Sequence, residues 1–204
     1  MLLTIHPKTP NERECKKAVE LLQKDGIIII PTDTIYAIAC RANNKNGIER
    51  ICKLIGKKPE KANLSLLCSD LSHLSDFCQQ INNPVFRMMK TCLPGAFTFI
   101  LNANNNVPKI FRNTSKKTIG IRVPDCSITR TLIEMLDEPL VSASLHSTDL
   151  VEEYLTDPEL IHEAYEQQVD AVIDGGTGGN IPSTVVDCTG DEPEIIRQGK
   201  GELP

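Results

Sequence analysis

The chain has 204 residues, with 22 Lys and Arg against 27 Asp and Glu, and a formal net charge of −5. That balance argues against generic coating of nucleic acid, which needs outward-facing cations, though it leaves room for a local basic pocket. A content of 40% hydrophobic and 24% charged residues suits one ordinary globular domain over residues 1–204, and neither a signal-peptide core nor a membrane-length apolar run is found.

In chain order, the first predicted element is a helix capped by Asn11, with apolar face Cys15, Ala18, Val19, Leu21 and Leu22 and a stop at Gly26. Ile27-Ile28-Ile29-Ile30 reads as a buried strand, four β-branched residues ended by Pro31. Asn46 opens a second helix through Ile48, Ile51, Cys52 and Leu54 that ends near Gly56. Lys57 to Lys61 is a charged loop, and Leu64 to Cys68 a strand. Asn83, with Pro84 at the first helical position, starts a helix carrying Val85, Phe86, Met88 and Met89. Pro94-Gly95 turns it into the strand Phe97 to Leu101.

The second half continues the alternation. A strand from Thr118 to Val123 closes at Pro124, a helix around Thr129 to Leu136 follows, and Leu140 to Ala143 is a strand. The stretch from His146 to Thr156 is the longest irregular piece and reads as a mobile flap. Asp157-Pro158-Glu159 starts a helix running toward Gln168, and Ala171 to Ile173 is a strand. Thr184 to Asp187 and Glu194 to Arg197 read as a closing antiparallel pair, turned by Thr189-Gly190-Asp191-Glu192. Roughly seven strands interleaved with five helices make an α/β domain with a mixed sheet.

The eight cysteines, Cys15, Cys40, Cys52, Cys68, Cys78, Cys92, Cys126 and Cys188, form no Cys-x-x-Cys pair. They read as small buried hydrophobes in a reducing, cytoplasmic setting, and no ligand spacing for zinc is present.

The functional signal is the gathering of polar groups at predicted strand ends. They are Thr32, Asp33 and Thr34; Lys57, Lys58 and Lys61; Arg122; Ser142, Ser144 and His146; Ser183 and Thr184; and Arg197. Converging, they would make a hydroxyl- and cation-rich hollow suited to phosphate or carboxylate oxygens. Each has a plainer alternative. Thr32 and Asp33 suit a turn capped by its own side chains, the lysine run a solvated loop, and Arg122 a surface ion pair. Gly175 to Gly179 resembles a phosphate cradle but lacks the Walker lysine and the GxGxxG spacing, so a flexible loop is the expected reading. A lone His146 is as well explained by surface placement or packing as by catalysis.

Seven segments in order carry a resemblance: PTDTIYA at 31–37, PGAFTFIL at 94–101, TIGIRVP at 118–124, PLVSAS at 139–144, DGG at 174–176, PSTVVDCT at 182–189 and IRQG at 196–199. Through them the chain resembles the YrdC/YciO family over nearly its whole length. The resemblance implies a twisted mixed sheet with helices around a large electropositive concave cavity. It also implies threonylcarbamoyl-AMP synthase chemistry, in which ATP with Mg²⁺, L-threonine and bicarbonate give threonylcarbamoyl-AMP and pyrophosphate. A partner machinery then uses the product to modify tRNA. No permanent cofactor, metal site or membrane is implied.

Carried over by position, the catalytic cations would be Lys57, Lys58 and Arg122. Thr32, Thr34, Tyr36, Arg122, Ser144 and His146 would hold threonine and bicarbonate. Lys58, Ser142, Ser144, Ser183, Thr184 and Arg197 would hold the nucleotide. Synthases of the family carry Lys-x-Arg-Pro after the second helix. Anchored on Pro59, Lys58 stands in the arginine's place here and Gly56 in the lysine's, with Lys57 a substitute. His146 stands for the asparagine of Ser-x-Asn, and Ala37 for a glycine. These departures resemble the YciO branch. Its alternative function is binding of double-stranded RNA, tRNA or nucleotide in the same hollow without turnover.

Overall fold

The computed structural model describes residues 1–72, 74–107, 117–145 and 153–204. Ten strands form one mixed sheet: β1 (Leu2–Thr4), β2 (Ile28–Ile30), β3 (Ala37–Arg41), β4 (Ser65–Leu67), β5 (Phe97–Asn102), β6 (Thr118–Arg122), β7 (Leu140–Ser144), β8 (Ala171–Asp174), β9 (Thr184–Asp187) and β10 (Glu194–Arg197). Their order across the sheet is β1-β8-β2-β3-β7-β4-β6-β5-β9-β10. β1, β8 and β2 run parallel, as do β4 with β6 and β5 with β9, and the remaining pairs are antiparallel.

The α-helices are α1 (Glu12–Gln23), α2 (Lys45–Leu54), α3 (Asn83–Cys92), α4 (Ser127–Leu136), α5 (Glu153–Thr156) and α6 (Pro158–Tyr165). Asn11 caps α1, its side chain accepting from the Glu14 N–H, and Asp157 caps α6 in the same way. Two predicted caps are displaced. Asn44, not Asn46, receives the Gly47 N–H and starts α2, and Asn82, not Asn83, receives the Val85 N–H and starts α3. The left-handed residue after α1 is Asp25, one position before the predicted stop at Gly26. α6 ends at Tyr165, short of Gln168, and Glu153–Thr156 is helical where a flap was expected. The rest of that expectation, His146 to Glu152, lies outside the described residues. No helix among the described residues is long and apolar enough to cross a membrane.

Side chains alternate between the two sheet faces, as a period of two requires. One face is apolar across its whole width. Ile29, Ile38, Leu66, Phe99, Ile121, Val141, Val172 and Val186 pack there with Ile48 and Ile51 of α2 and Met89 of α3. The other face divides. Over β1, β8, β2 and β3 it presents Leu3, Ile28, Ile30, Ala37, Ala39, Ala171 and Ile173, and α1 and α4 cover it with Ala18, Leu22, Ile128 and Leu132. Over β4, β6, β5 and β9 the same face presents Ser65, Gly120, Arg122, Thr98 and Asp187, and a hollow takes the place of a helix layer. Helices settle where apolar surface can be removed from water, so the split in residue type sets the edge of the hollow.

Six cysteines are buried and two half-buried, and all eight are free thiols. Burial pushes Cys40, Cys68 and Cys78 up to about 12 and Cys188 up to about 11. The thiolate is the reactive form. A disulfide-exchange reagent at pH 8 is therefore expected to leave the six buried thiols of the native protein unmodified while reacting with all eight in denaturant. Rapid native reaction of more than Cys126 and Cys188 would contradict this packing.

Candidate active site

The hollow has a volume of about 400 Å³ and collects residues from the loop after α2 and from β4, β5, β6, β7, β9 and β10. Strand register explains its floor. Ser142, Ser65, Gly120, Ile100, Asp187 and Glu194 lie opposite one another in a single row across six strands. Neighbours in such a row are about 4.8 Å apart. A second row, two residues along each strand and three along β10 where the register shifts between Ile195 and Arg197, includes Arg122 opposite Leu67, Thr98 opposite Val185, and Val185 opposite Arg197. Hydroxyl groups thus stand beside two guanidinium groups.

Arg122 is 3% exposed, an unusual setting for a guanidinium. Its Nη2 donates to Asp33 Oδ1 at 3.0 Å and to Thr34 Oγ1 at 2.9 Å. The alternative of a surface ion pair is thereby corrected: the pair is buried, and its partner comes from the turn after β2. Burial lowers the proton affinity of Arg122, and the Asp33 carboxylate opposes that shift. Arg122 Nε and Asp33 Oδ2 are buried and without a hydrogen-bond partner among the described residues. Such atoms are expensive to leave bare, so Arg122 retains a donor beyond what the fold consumes.

Arg197 lies on the exposed edge strand β10 and reaches back into the hollow. Its Nη2 donates to the Ser183 carbonyl at 2.8 Å and to Ser183 Oγ at 3.3 Å. Ser183 Oγ in turn meets Thr98 Oγ1 at 2.8 Å. Arg197 and Arg122 feel each other's charge, which helps hold down the proton affinity of Arg122. Asp187 is the carboxylate on the wall of the hollow, and its Oδ1 accepts the N–H and hydroxyl of Thr189.

The predicted site residues separate into three groups. Arg122, Ser142, Ser144, Ser183 and Arg197 line the hollow together. Thr32, Thr34, Tyr36 and Thr184 stand behind it, with their hydroxyls committed to the fold. Thr32 Oγ1 donates to the Ile35 carbonyl at 2.7 Å and accepts the Thr34 N–H, the self-capped turn that was the plainer alternative. Thr34 reaches the site only through Arg122. Tyr36 is fully buried, donates to the Gly176 carbonyl at 2.7 Å, and holds its proton more tightly than an ordinary phenol because it is buried. Thr184 is fully buried too, and its hydroxyl binds the Gly201 carbonyl and the Gly199 N–H, fastening the C-terminal strap. Lys57 and Lys58 are exposed beside Pro59, which lines the hollow, so they stand at its rim. His146 lies outside the described residues.

The glycine-rich loop is neither a phosphate cradle nor a loose connection. A Cβ at Gly178 would stand 2.5 Å from the Tyr36 ring, and one at Gly179 would stand 2.5 Å from the Thr34 carbonyl. These glycines let the loop press onto the turn that carries Asp33 and Thr34. Lys200 secures the same turn, donating to the Asp33 carbonyl at 2.6 Å.

Ser65, Thr98, Thr118, Gly120 and Asp187 were not singled out from sequence, although a signal existed. In Thr118-Ile119-Gly120-Ile121-Arg122 and Phe97-Thr98-Phe99 small or polar residues alternate with apolar ones, the mark of a strand with one face off the core.

The family model Sua5_yciO_yrdC, described as "Telomere recombination", matches residues 20–199. The chain is 42% identical over 201 residues to "Uncharacterized protein YciO" of Escherichia coli strain K12, covering 98% of this chain and 95% of that protein. The crystal structure of E. coli YciO superposes with a TM-score of 0.92 over 100% of this chain and 97% of that one, at 41% identity. More distantly, the chain is 26% identical over 190 residues to the threonylcarbamoyl-AMP synthase of Bacillus subtilis strain 168, covering 93% of this chain and 54% of the synthase. The fold also matches P. abyssi Sua5 complexed with L-threonine, with a TM-score of 0.87 at 22% identity over 98% of this chain and 57% of that one.

Proposed function

The chain belongs to the Sua5/YciO/YrdC family, and from that premise we propose that it is a nucleotidyltransferase of the threonylcarbamoyl-AMP synthase type. Its substrates are ATP, L-threonine and bicarbonate, and its product serves tRNA modification through a partner machinery. The reading rests on one observation: two guanidinium groups and a floor of hydroxyls line the same hollow.

The chemistry asks for those groups. A carbamate oxygen attacks the α-phosphorus of ATP, the bond to the β-phosphate oxygen breaks, and pyrophosphate departs with that electron pair. Negative charge grows on the phosphate oxygens throughout. Arg197 and Arg122 supply countercharge, Ser142, Ser144 and Ser183 orient oxygens, and positioning does most of the work without a general base. Rim lysines 57 and 58 serve the departing pyrophosphate as point charges rather than as a bidentate fork. Magnesium enters with ATP as part of the substrate.

The test is pyrophosphate release on mixing ATP, L-threonine and bicarbonate. Arg197→Ala is expected to slow it on the order of 100-fold with little change in melting temperature, because Arg197 sits on an exposed edge. Well-folded protein that releases no pyrophosphate under conditions where a known synthase does would falsify the enzyme reading. The exposed Lys57 and Lys58, in place of a Lys-x-Arg fork, favour a second reading in which the hollow binds nucleotide or RNA without turnover. Saturable binding of ATP or double-stranded RNA, weakened by Arg197→Ala and unaccompanied by pyrophosphate, is its signature.

A further inference from the structure

The hollow is chemically lopsided. One row carries Arg122, Thr98 and Arg197, with Val185 between the last two and Ser183 Oγ bonded to Thr98, and its guanidinium and hydroxyl groups suit anionic oxygens. The adjoining row carries Ile100 and Asp187, and Ile196 of β10 lines the hollow next to Arg197. Asp187 stands directly opposite Ile100 on β5 and opposite Glu194 on β10.

Two features of Asp187 are poorly explained by folding alone. Its Oδ1 holds the Thr189 turn, whereas its Oδ2 makes no hydrogen bond among the described residues. Like charges directly opposite on paired strands are destabilising, and no ion pair to Asp187 or Glu194 relieves them among the described residues. Arg197 is near in the sheet but donates to Ser183 instead. A carboxylate kept on the wall of a phosphate-binding hollow repels phosphate, so the phosphates must lie toward the arginines. It welcomes a neutral donor, and the apolar side chains around it welcome a flat ring.

We propose that Asp187 is a nucleoside-recognising residue: Ile100, Val185 and Ile196 form the seat of the base, and Asp187 accepts a hydrogen bond from a nucleoside donor. That donor is the ribose 2′-hydroxyl or the exocyclic amine of adenine. The inference rests on the nucleotide reading above and adds the direction in which the nucleotide lies. Asp187 thereby sets selectivity for ATP, while the arginines set affinity for any triphosphate.

The experiment is calorimetric titration of the protein with ATP, 2′-deoxy-ATP and inosine triphosphate in EDTA, comparing wild type with Asp187→Asn. Asparagine keeps an oxygen for the Thr189 turn and removes the charge opposite Glu194, so melting temperature should hold or rise. The wild type is expected to prefer ATP by about tenfold over the analogue that lacks the recognised donor. Loss of preference against 2′-deoxy-ATP identifies the ribose, and against inosine triphosphate the amine. In Asp187→Asn the three ligands should bind within about twofold of one another. Unchanged preferences in Asp187→Asn, with ATP still bound, overturn this inference and leave the proposed function standing. An Asp187→Asn defect seen only with magnesium assigns the carboxylate to the cation and overturns it too. Absence of any nucleotide binding by the wild type overturns both readings.

Discussion

Arg122→Ala is expected to lower unfolding free energy by about 3–5 kcal/mol, because it strands the Asp33 carboxylate in the interior without its countercharge. The basis is the geometry of the pair: Nη2 to Oδ1 at 3.0 Å, with both side chains under 10% exposed. Loss of the arginine also leaves Thr34 Oγ1 without one of its partners. Urea denaturation measures the change. The double variant Asp33→Asn with Arg122→Met is expected to recover most of the lost stability, since an ion pair replaced by neutral groups of similar shape avoids the uncompensated charge. Neither variant should bind ATP or release pyrophosphate. The double variant therefore separates the two jobs of Arg122, which a single substitution confounds. A loss under about 1 kcal/mol for Arg122→Ala would mean that Asp33 finds water or another donor, and that the pair is not buried as described.

Gly120→Phe is expected to abolish nucleotide binding while sparing the fold. Gly120 lies in the middle of the floor row, between Ser65 and Ile100, with no helix above it. A Cβ there meets Ser65 Oγ and Thr98 Cγ2 at 3.2 Å, contacts that yield by small shifts of side chains. Phenylalanine favours strands over glycine, and its ring would occupy the hollow rather than the core. Pyrophosphate release should fall on the order of 100-fold or more because the reacting groups can no longer be brought together. Melting temperature should stay within about 4 °C of wild type. Full activity in Gly120→Phe would place the chemistry elsewhere.

The parts of the fold that were legible in the sequence are those decided locally. Asn11 and Asp157 are caps because a short side chain reaches an N–H two or three residues on. The polar ends of β6, β7 and β9 could be read because proline and hydroxyl residues punctuate apolar runs. β1 and β3 were missed for different reasons. β1 becomes a strand only by pairing with β8, some 170 positions away, and three residues carry little pattern of their own. β3 is built from Ala37, Ile38, Ala39 and Cys40, buried on both faces, so neither alternation nor β-branched composition marks it.

The site divides in the same way. Arg122, Ser142, Ser144, Ser183 and Arg197 were found as types of residue at strand ends, and the sheet brings them to one hollow. Asp33 as the partner of Arg122 is a contact across 89 positions and has no local signature. Tyr36 and Thr184 carry the right chemistry for a ligand, yet their hydroxyls are consumed by the Gly176 and Gly201 carbonyls. Burial, which decides between those uses, depends on what the rest of the chain lays over a residue.

A crystal structure with ATP, magnesium and L-threonine bound tests the whole account at once. Triphosphate oxygens should lie within hydrogen-bonding distance of Arg122, Arg197 and Ser183, with the base over Ile100 and Val185. Nucleotide density outside this hollow, or a triphosphate lying against Asp187 with the base toward Arg122, would contradict it.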